Sequence, residues 1–413
     1  MTKMEEARRG IISKEFRLCS KKEGIPTSKL LRSVSKGRTV IVGKGAKAIA
    51  IGELASTKIN ANLGASHEYS KIKNELAKLQ AAIDAGADTI MDLSMARQDE
   101  FLSLMTANSS VPVGSVPVYR AFSENDIASV SEDEILNSIK KHIELGVDFA
   151  TIHSAMLTKG VSFSKRRFMP IVSRGGCFLA SWMLHHEKQN PLYKNFDYIL
   201  ELLHASDVAI SIGDALRPGC LRDASDKAQL HELKVQGELV KRCHKAGVAA
   251  ICEGPGHMPI SHIEKNVKLQ KKLCSNAPYY VLGPLTTDIG AGYDHITSAI
   301  GGAIAARAGA DFLCVVTPSE HLGLPTCEDI VDGVVAMKLA AHSADIVKFG
   351  KRKRDDDLAL ARSRLDWENQ FKLSANPARA RHIYATHSTK TGACSMCGKY
   401  CAIRIMQKAA KMK

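Results

Sequence analysis

One glycine-bearing tag recurs along the chain, and it limits what the chain can fold into. Ala85-Gly-Ala-Asp88, Leu145-Gly-Val-Asp148, Ala246-Gly-Val-Ala249 and Ala308-Gly-Ala-Asp311 each lie between an amphipathic segment and a short apolar run. A glycine at that point lets a helix end in left-handed backbone before the next strand begins. Strand-like runs fall at 58–63, 89–93, 113–118, 149–153, 208–212, 249–252, 280–282 and 312–316, with helical patterns such as 70–85 and 132–144 between them. Eight strand–helix units predict an α/β fold, a (β/α)8 TIM barrel. The competing arrangement is an open doubly wound sheet, but no G-x-G-x-x-G follows an early strand. Residues 1–55 read as a small N-terminal region and 56–350 as the barrel with its substrate and metal site. Residues 351–413 read as a helical tail without strands, with helices at 356–371, at 377–384 and from 401.

Chemistry in such a barrel collects at the C-terminal ends of the strands, where the loops share one mouth. Asn62 closes the first run, Met91 and Asp92 end the second, Tyr119 follows the third and His153 ends the fourth. Asp214 and Arg217 follow the fifth, Glu253 and His257 the sixth, and His321 the eighth. Each of these taken singly is equally well a core or ion-paired residue. Ser173-Arg174-Gly175-Gly176 precedes an apolar helix, where backbone N–H groups and a guanidinium together suit a phosphate; an ordinary glycine turn is the plainer reading. Gly213-Asp-Ala-Leu-Arg-Pro-Gly219 sets opposite charges three apart, as a sugar and phosphate contact or as a structural ion pair. In Glu253-Gly-Pro-Gly-His-Met-Pro259, prolines and glycines hold Glu253 and His257 in place. His257 with His321 makes a two-histidine metal site, too few ligands for a closed structural zinc. The loop from Leu282 to Ile296 contains Asp294-His295, which resembles an acid–base pair.

The tail holds Cys394-Ser-Met-Cys397-Gly-Lys-Tyr-Cys401, a C-x2-C-x3-C run. Three thiolates can hold a 4Fe–4S cluster that keeps one iron open to S-adenosylmethionine. The alternative is a zinc knot with His387 as fourth ligand. The other eight of the 11 cysteines are scattered, several inside apolar runs, which is the usage of a reducing cytoplasm. No signal-peptide pattern and no long uncharged apolar stretch is present, so no membrane partner is expected. The net charge is +14, yet aromatics are only 5% and no nucleic-acid motif appears, so no nucleic-acid partner is expected either. The dense run Lys351-Arg-Lys-Arg354 is followed by Asp355-Asp-Asp357 and reads as a solvated, self-neutralising hinge.

Taken together, SRGG, GDALRPG, EGPGHMP, LGPLTTDIGAGYDHITSAIG, TPSEHLGLP and CSMCGKYC stand in the order found in the radical S-adenosylmethionine family of phosphomethylpyrimidine synthase. The chain resembles the family's short form from ARRGIIS near its start, through KINANLG, to the last cysteine. The resemblance implies a lyase that rearranges 5-aminoimidazole ribonucleotide into 4-amino-5-hydroxymethyl-2-methylpyrimidine phosphate for thiamine biosynthesis. Formate and carbon monoxide would be released, and the reaction would start from a 5′-deoxyadenosyl radical. The implied substrate contacts are Asn62, Met91, Tyr119, His153, Ser173, Arg174, Gly175, Asp214, Ala215, Leu216, Arg217, Glu253 and Tyr280. The implied ligands of Zn2+ or another divalent metal are His257 and His321, and those of the 4Fe–4S cluster are Cys394, Cys397 and Cys401. A small nucleotide substrate, a flavodoxin- or ferredoxin-type electron donor and a homodimer whose tail reaches over the partner's barrel complete the set. The chain departs from the long-form pattern in three places: the family commonly has C-x2-C-x4-C, Ala215 stands for a glycine and would add a methyl beside the substrate, and Met95-Ala96 stands for Thr-Gly. The sister enzyme 5-hydroxybenzimidazole synthase, of anaerobic cobamide biosynthesis, uses the same substrate and is the alternative. A zinc-dependent barrel hydrolase and an inactive nucleotide-binding paralogue are the readings from other classes.

Overall fold

The computed structural model describes residues 1–66, 71–123, 125–386 and 392–410. Two compact units divide the chain, Met1–Asp345 and Ile346–Lys413.

The first unit is built on a closed barrel of eight parallel strands. They are β3 (Lys58–Leu63), β4 (Thr89–Asp92), β5 (Val113–Ser115), β6 (Phe149–Ile152), β7 (Ala209–Ile212), β8 (Ala250–Gly254), β9 (Tyr279–Val281) and β10 (Phe312–Cys314). Each pairs with the next in sequence and β10 closes on β3, which is the expected (β/α)8 barrel. Ahead of it, β1 (Thr39–Val42) and β2 (Ile49–Gly52) form an antiparallel pair. The barrel strands are buried almost throughout, because helices cover the outside and side chains fill the inside. Phe149 and Phe312 meet edge to face at 6.3 Å, and Tyr280 stacks on Phe312 at 4.2 Å. Gly114 makes room for this packing: a Cβ there would lie 2.3 Å from Phe149 Cζ.

The repeated tags do more than end helices. Their glycines are left-handed, as at Gly86 (φ +98°) and Gly309 (φ +123°). The aspartate that closes three of them reaches sideways to the preceding strand. Asp88 Oδ2 accepts from the Ile59 N–H, Asp148 Oδ2 from Val113 and Asp311 Oδ2 from Tyr279, each at 2.9 Å. Each carboxylate therefore satisfies a backbone donor at the bottom of a neighbouring strand. Ala249, in the remaining tag, has no such group.

Residues 1–55 share the first unit. The helices Lys3–Arg8, Lys14–Glu23 and Thr27–Ser35 pack with the β1–β2 pair around Phe16, Cys19, Leu30, Val34 and Ile41. Several of their polar links run to the N-terminal ends of barrel strands or to the turns just before them. Glu23 pairs with Lys58 at 2.7 Å, Lys3 with Asp207 at 2.7 Å, and Thr2 Oγ1 donates to Gly247 O at 2.6 Å. This region therefore lies against the bottom of the barrel and leaves the opposite mouth to the loops.

Three expectations are corrected. The third strand stops at Ser115, because the short helix Val118–Phe122 follows, so Tyr119 comes from a helix. The helix expected over 356–371 is two, Lys353–Ser363 and Trp367–Leu373; Leu365 breaks it at φ +56° and Asp366 caps the second by accepting from the Asn369 N–H. The charged run is not a hinge over its length. It enters the helix at Lys353, with Arg352–Asp356 and Lys353–Asp357 each paired at 2.9 Å along one helix face. The second unit continues with helices Pro377–Thr386 and Ala402–Ala410. Among the described residues, no helix is long and apolar enough to cross a membrane.

Candidate active site

A cavity opens at the C-terminal mouth of the barrel. Nine of the residues anticipated as contacts line it: Asn62, Met91, Tyr119, His153, Ser173, Asp214, Arg217, Glu253 and Tyr280. Apolar wall comes from Leu93, Val116, Val281 and Leu282. Asp92, also at a strand end, lies outside this lining and spends one carboxylate oxygen on the Ser94 N–H (3.0 Å) and hydroxyl (2.6 Å).

Glu253 is fixed at the end of β8. Its Oε1 accepts from Thr151 Oγ1 at 2.7 Å and Ser211 Oγ at 2.8 Å, hydroxyls of β6 and β7. Burial raises its pKa, against the pull of these hydrogen bonds and of Arg217. Asp214 Oδ1 meets Arg217 Nη1 at 3.2 Å, while Asp214 Oδ2 is buried without a hydrogen-bond partner. Burial pushes the Asp214 carboxyl up to about 8, outweighing Arg217. His153 is held neutral, its pKa lowered by burial to about 3. Its Nε2 lies 3.3 Å from Ser173 Oγ, and its Nδ1 is buried and unpartnered. Asn62 donates to Cys314 Sγ at 3.0 Å, and Asn60 donates to both Asn62 Oδ1 (2.8 Å) and the Tyr280 hydroxyl (2.7 Å).

The remaining anticipated contacts sit differently. Gly175 packs on His153; a Cβ at that position would stand 2.7 Å from the ring. Ser173 caps the helix Arg174–His185 by accepting from the Gly176 N–H. Arg174 is exposed, lies over the Tyr119 ring at 5.5 Å, and lines a neighbouring cavity that shares Asn62 and Leu93 with the first. Ala215 and Leu216 are fully buried and outside the cavity lining. The Ala215 methyl lies against Gly176, so it is not beside the cavity as expected.

His257 and His321 do meet, with ring centroids 5.3 Å apart. Their Nδ1 atoms are committed to carboxylates, His257 to Asp288 at 2.8 Å and His321 to Asp294 at 2.9 Å. This orients each ring and leaves its Nε2 lone pair available, the usual arrangement behind a metal-binding histidine. The expected Asp294–His295 pair does not form; Asp294 serves His321, and His295 Nδ1 is buried without a partner. Two imidazoles are half of a tetrahedral set. Among the described residues, no group of three or more His, Cys, Asp or Glu side chains is placed to hold a metal ion.

The three tail cysteines lie on successive tight turns. Gly398 N donates to Cys394 O at 3.0 Å, Tyr400 N to Cys397 O at 2.9 Å, and helix Ala402–Ala410 follows Cys401. Cys394 is half-buried, Cys397 exposed and Cys401 buried, and all 11 thiols of the chain are free. The donors fit a 4Fe–4S cluster in kind and spacing but are not gathered into a ligand group. His387, the fourth ligand of the alternative zinc knot, lies outside the described residues.

Thr151, Ser211, Cys314 and Asp288 were not anticipated. The three strand residues sit inside apolar runs, where a single hydroxyl or thiol gives no periodic signal; Asp288 sits mid-loop. Gln236 was missed too. From the helix Lys227–Lys245 its Nε2 donates to the carbonyls of Ile212 (3.0 Å), Gly213 (3.3 Å) and Glu253 (3.0 Å), joining the ends of β7 and β8.

Residues 2–408 match the model of the Radical SAM ThiC family. The phosphomethylpyrimidine synthase of Thermoanaerobacter sp. (strain X514) is 49% identical over 421 residues, covering 98% of both chains. That of Archaeoglobus fulgidus is 46% identical over 421 residues, covering 99% of both. Among solved structures, a dihydropteroate synthase from Thermus thermophilus aligns at 13% identity with a TM-score of 0.43, over 73% of this chain and 98% of that one. A likeness that low adds nothing to the barrel read from the strand pairing.

Proposed function

The chain belongs to the Radical SAM ThiC family of enzymes, and from that premise we propose that it converts 5-aminoimidazole ribonucleotide to 4-amino-5-hydroxymethyl-2-methylpyrimidine phosphate for thiamine biosynthesis. The observation that carries the reading is the convergence of nine anticipated contacts on one cavity at the barrel mouth. Arg217 supplies positive charge to the wall, while Glu253 and Asp214 supply fixed carboxyl groups for ring and sugar polar atoms. The apolar wall limits the water that reaches a reactive intermediate. When bound at Cys394, Cys397 and Cys401, a 4Fe–4S cluster with S-adenosylmethionine supplies one-electron reductive cleavage. His257 and His321 would hold Zn2+ or another divalent ion, with water or substrate completing its ligands.

The test is anaerobic reconstitution with iron and sulfide, followed by S-adenosylmethionine, a reductant and the ribonucleotide. Formation of the pyrimidine phosphate is the expected result. Formation of 5-hydroxybenzimidazole would replace this reading with the sister activity. A colourless zinc protein that leaves S-adenosylmethionine intact would remove the radical reading altogether.

The reading extends to a cytoplasmic homodimer supplied with electrons by a flavodoxin or ferredoxin, with each tail serving its partner's barrel. Mixing Glu253→Ala with Cys397→Ala under conditions of subunit exchange should restore activity. Inactivity despite proven exchange would rule the shared arrangement out.

A further inference from the structure

We infer that Arg167 and Glu232 are positioning residues that clamp the backbone of the 214–217 loop and so aim Asp214 and Arg217 at the cavity. The loop is short and its backbone is buried, so its polar groups need partners. Arg217 N donates to Asp214 O at 3.0 Å within the loop. Three further groups are satisfied from outside. Leu216 N donates to Glu232 Oε2 at 2.7 Å, Leu216 O accepts from Arg167 Nη2 at 2.6 Å, and Arg217 O accepts from Arg167 Nη1 at 3.1 Å. Two side chains, Arg167 from the bend after helix Thr158–Ser164 and Glu232 from helix Lys227–Lys245, thus hold both edges of the loop, one taking two carbonyls and the other an N–H.

The clamp is itself anchored. Arg167 Nε and Nη2 reach the two oxygens of Asp226 at 2.8 Å each, and the Arg167 side chain is 1% exposed. Glu232 is buried on the helix Lys227–Lys245, which Asp226 caps. Burial first, and then the nearby Asp214, hold the Glu232 carboxyl well above its usual range. Neither Arg167 nor Glu232 lines the cavity that Asp214 and Arg217 line, so any effect on ligand passes through the loop. Arg167 cannot be replaced by lysine in this role. A single ammonium cannot span two carbonyls and a carboxylate, whereas the planar fork does.

This inference rests on the proposed nucleotide reading, and two readouts keep them apart. The reconstituted enzyme gives KM and kcat for 5-aminoimidazole ribonucleotide, and hydrogen exchange of the Leu216 amide reports the clamp without substrate. Arg167→Lys and Glu232→Leu should each raise KM roughly tenfold, the weight of a lost charge-assisted or buried hydrogen bond, with a smaller change in kcat and faster exchange at Leu216. Glu232→Gln keeps an acceptor oxygen for the Leu216 N–H at the same reach and should stay within about twofold of the parent. A folded Arg167→Lys with unchanged KM and unchanged exchange overturns the clamp. If Arg167→Lys does not fold, Asp226→Asn keeps the helix cap while loosening the fork. It should raise KM by about threefold, and no change there overturns the clamp as well. If the parent enzyme does not turn over the ribonucleotide, the nucleotide reading fails alone and the Leu216 exchange still decides the clamp.

Discussion

The barrel mouth and the helical tail carry complementary halves of the proposed chemistry, and they are held by different means. At the mouth, Glu253 and His153 are held by partners on other elements, Asp214 is paired with Arg217 of its own loop, and a continuous core surrounds them. In the tail, helix Lys353–Ser363 buries Ala361 and helix Trp367–Leu373 buries Phe371, while Pro377–Thr386 and Ala402–Ala410 bury nothing fully. An aromatic cluster holds this unit instead. Trp367 and Tyr384 lie 4.4 Å apart, Phe371 and Tyr384 5.4 Å, and Trp367 Nε1 donates to Gly392 O at 3.0 Å beside the cysteine turns. A site built on core packing exists before its ligand arrives. A site built on short tethered turns gains order when metal binds, because binding energy then adds to folding energy.

The contrast breaks most visibly at the cysteines. Alanine at Cys394, Cys397 or Cys401 should abolish cluster iron and activity while leaving ribonucleotide binding at the barrel intact. Alanine at any of the other eight should leave iron content unchanged. Iron assay after anaerobic reconstitution decides this, and an equal need for a scattered cysteine would defeat the three-thiolate assignment.

A smaller effect should stay within the tail. Phe371→Ala should destabilise that unit by about 3 kcal/mol, the cost of emptying a packed aromatic site, and leave the barrel's unfolding unchanged. The chain has two tryptophans: Trp182 is buried in the first unit, and Trp367 is half-buried in the second. In a Trp182→Phe background the remaining fluorescence follows the tail alone. Equal loss in both units would mean that they unfold together.

Arg174→Ala sharpens the mouth side of the comparison. Loss of its charge should weaken ribonucleotide affinity roughly tenfold without altering cluster iron. Unchanged affinity, measured by titration calorimetry, would remove the phosphate assignment and leave Arg174 as the partner of the Tyr119 ring.

The last effect concerns pH. The folded pKa of Asp214 is raised from 3.8 to about 8 by burial, with Glu253 adding to and Arg217 opposing the shift. The folded state therefore binds more protons than the unfolded state across that interval, and this group's contribution to stability falls as pH rises through it. Asp214→Asn should flatten that limb of the stability–pH curve, as followed by urea unfolding from pH 5 to 9. An unchanged slope would show that Asp214 does not carry the proton.

The barrel was legible because its signals are local and repeated. Glycine tags, alternating apolar runs and loop prolines each report on neighbouring residues, and eight repetitions correct single errors. The third strand was overextended because Val116 and Val118 look like strand residues, and only the helix Val118–Phe122 shows where the run ends. The tail break at Leu365 was hidden because it carries no glycine. The anticipated residues that line the cavity stand in distinctive motifs or at strand ends, while Thr151, Ser211 and Gln236 carry no such signal, since their contacts with Glu253 cross 102, 42 and 17 positions.

By itself, then, the sequence determined the strand count and marked the loops and cysteines of the proposed site, all of which depend on spacing along the chain. Only the tertiary structure decided which carboxylate orients which histidine, that the Ala215 methyl packs away from the cavity, and that Arg167 and Glu232 hold the 214–217 loop. These are matters of direction and distance between residues far apart in sequence, and closure of the barrel is what fixes them.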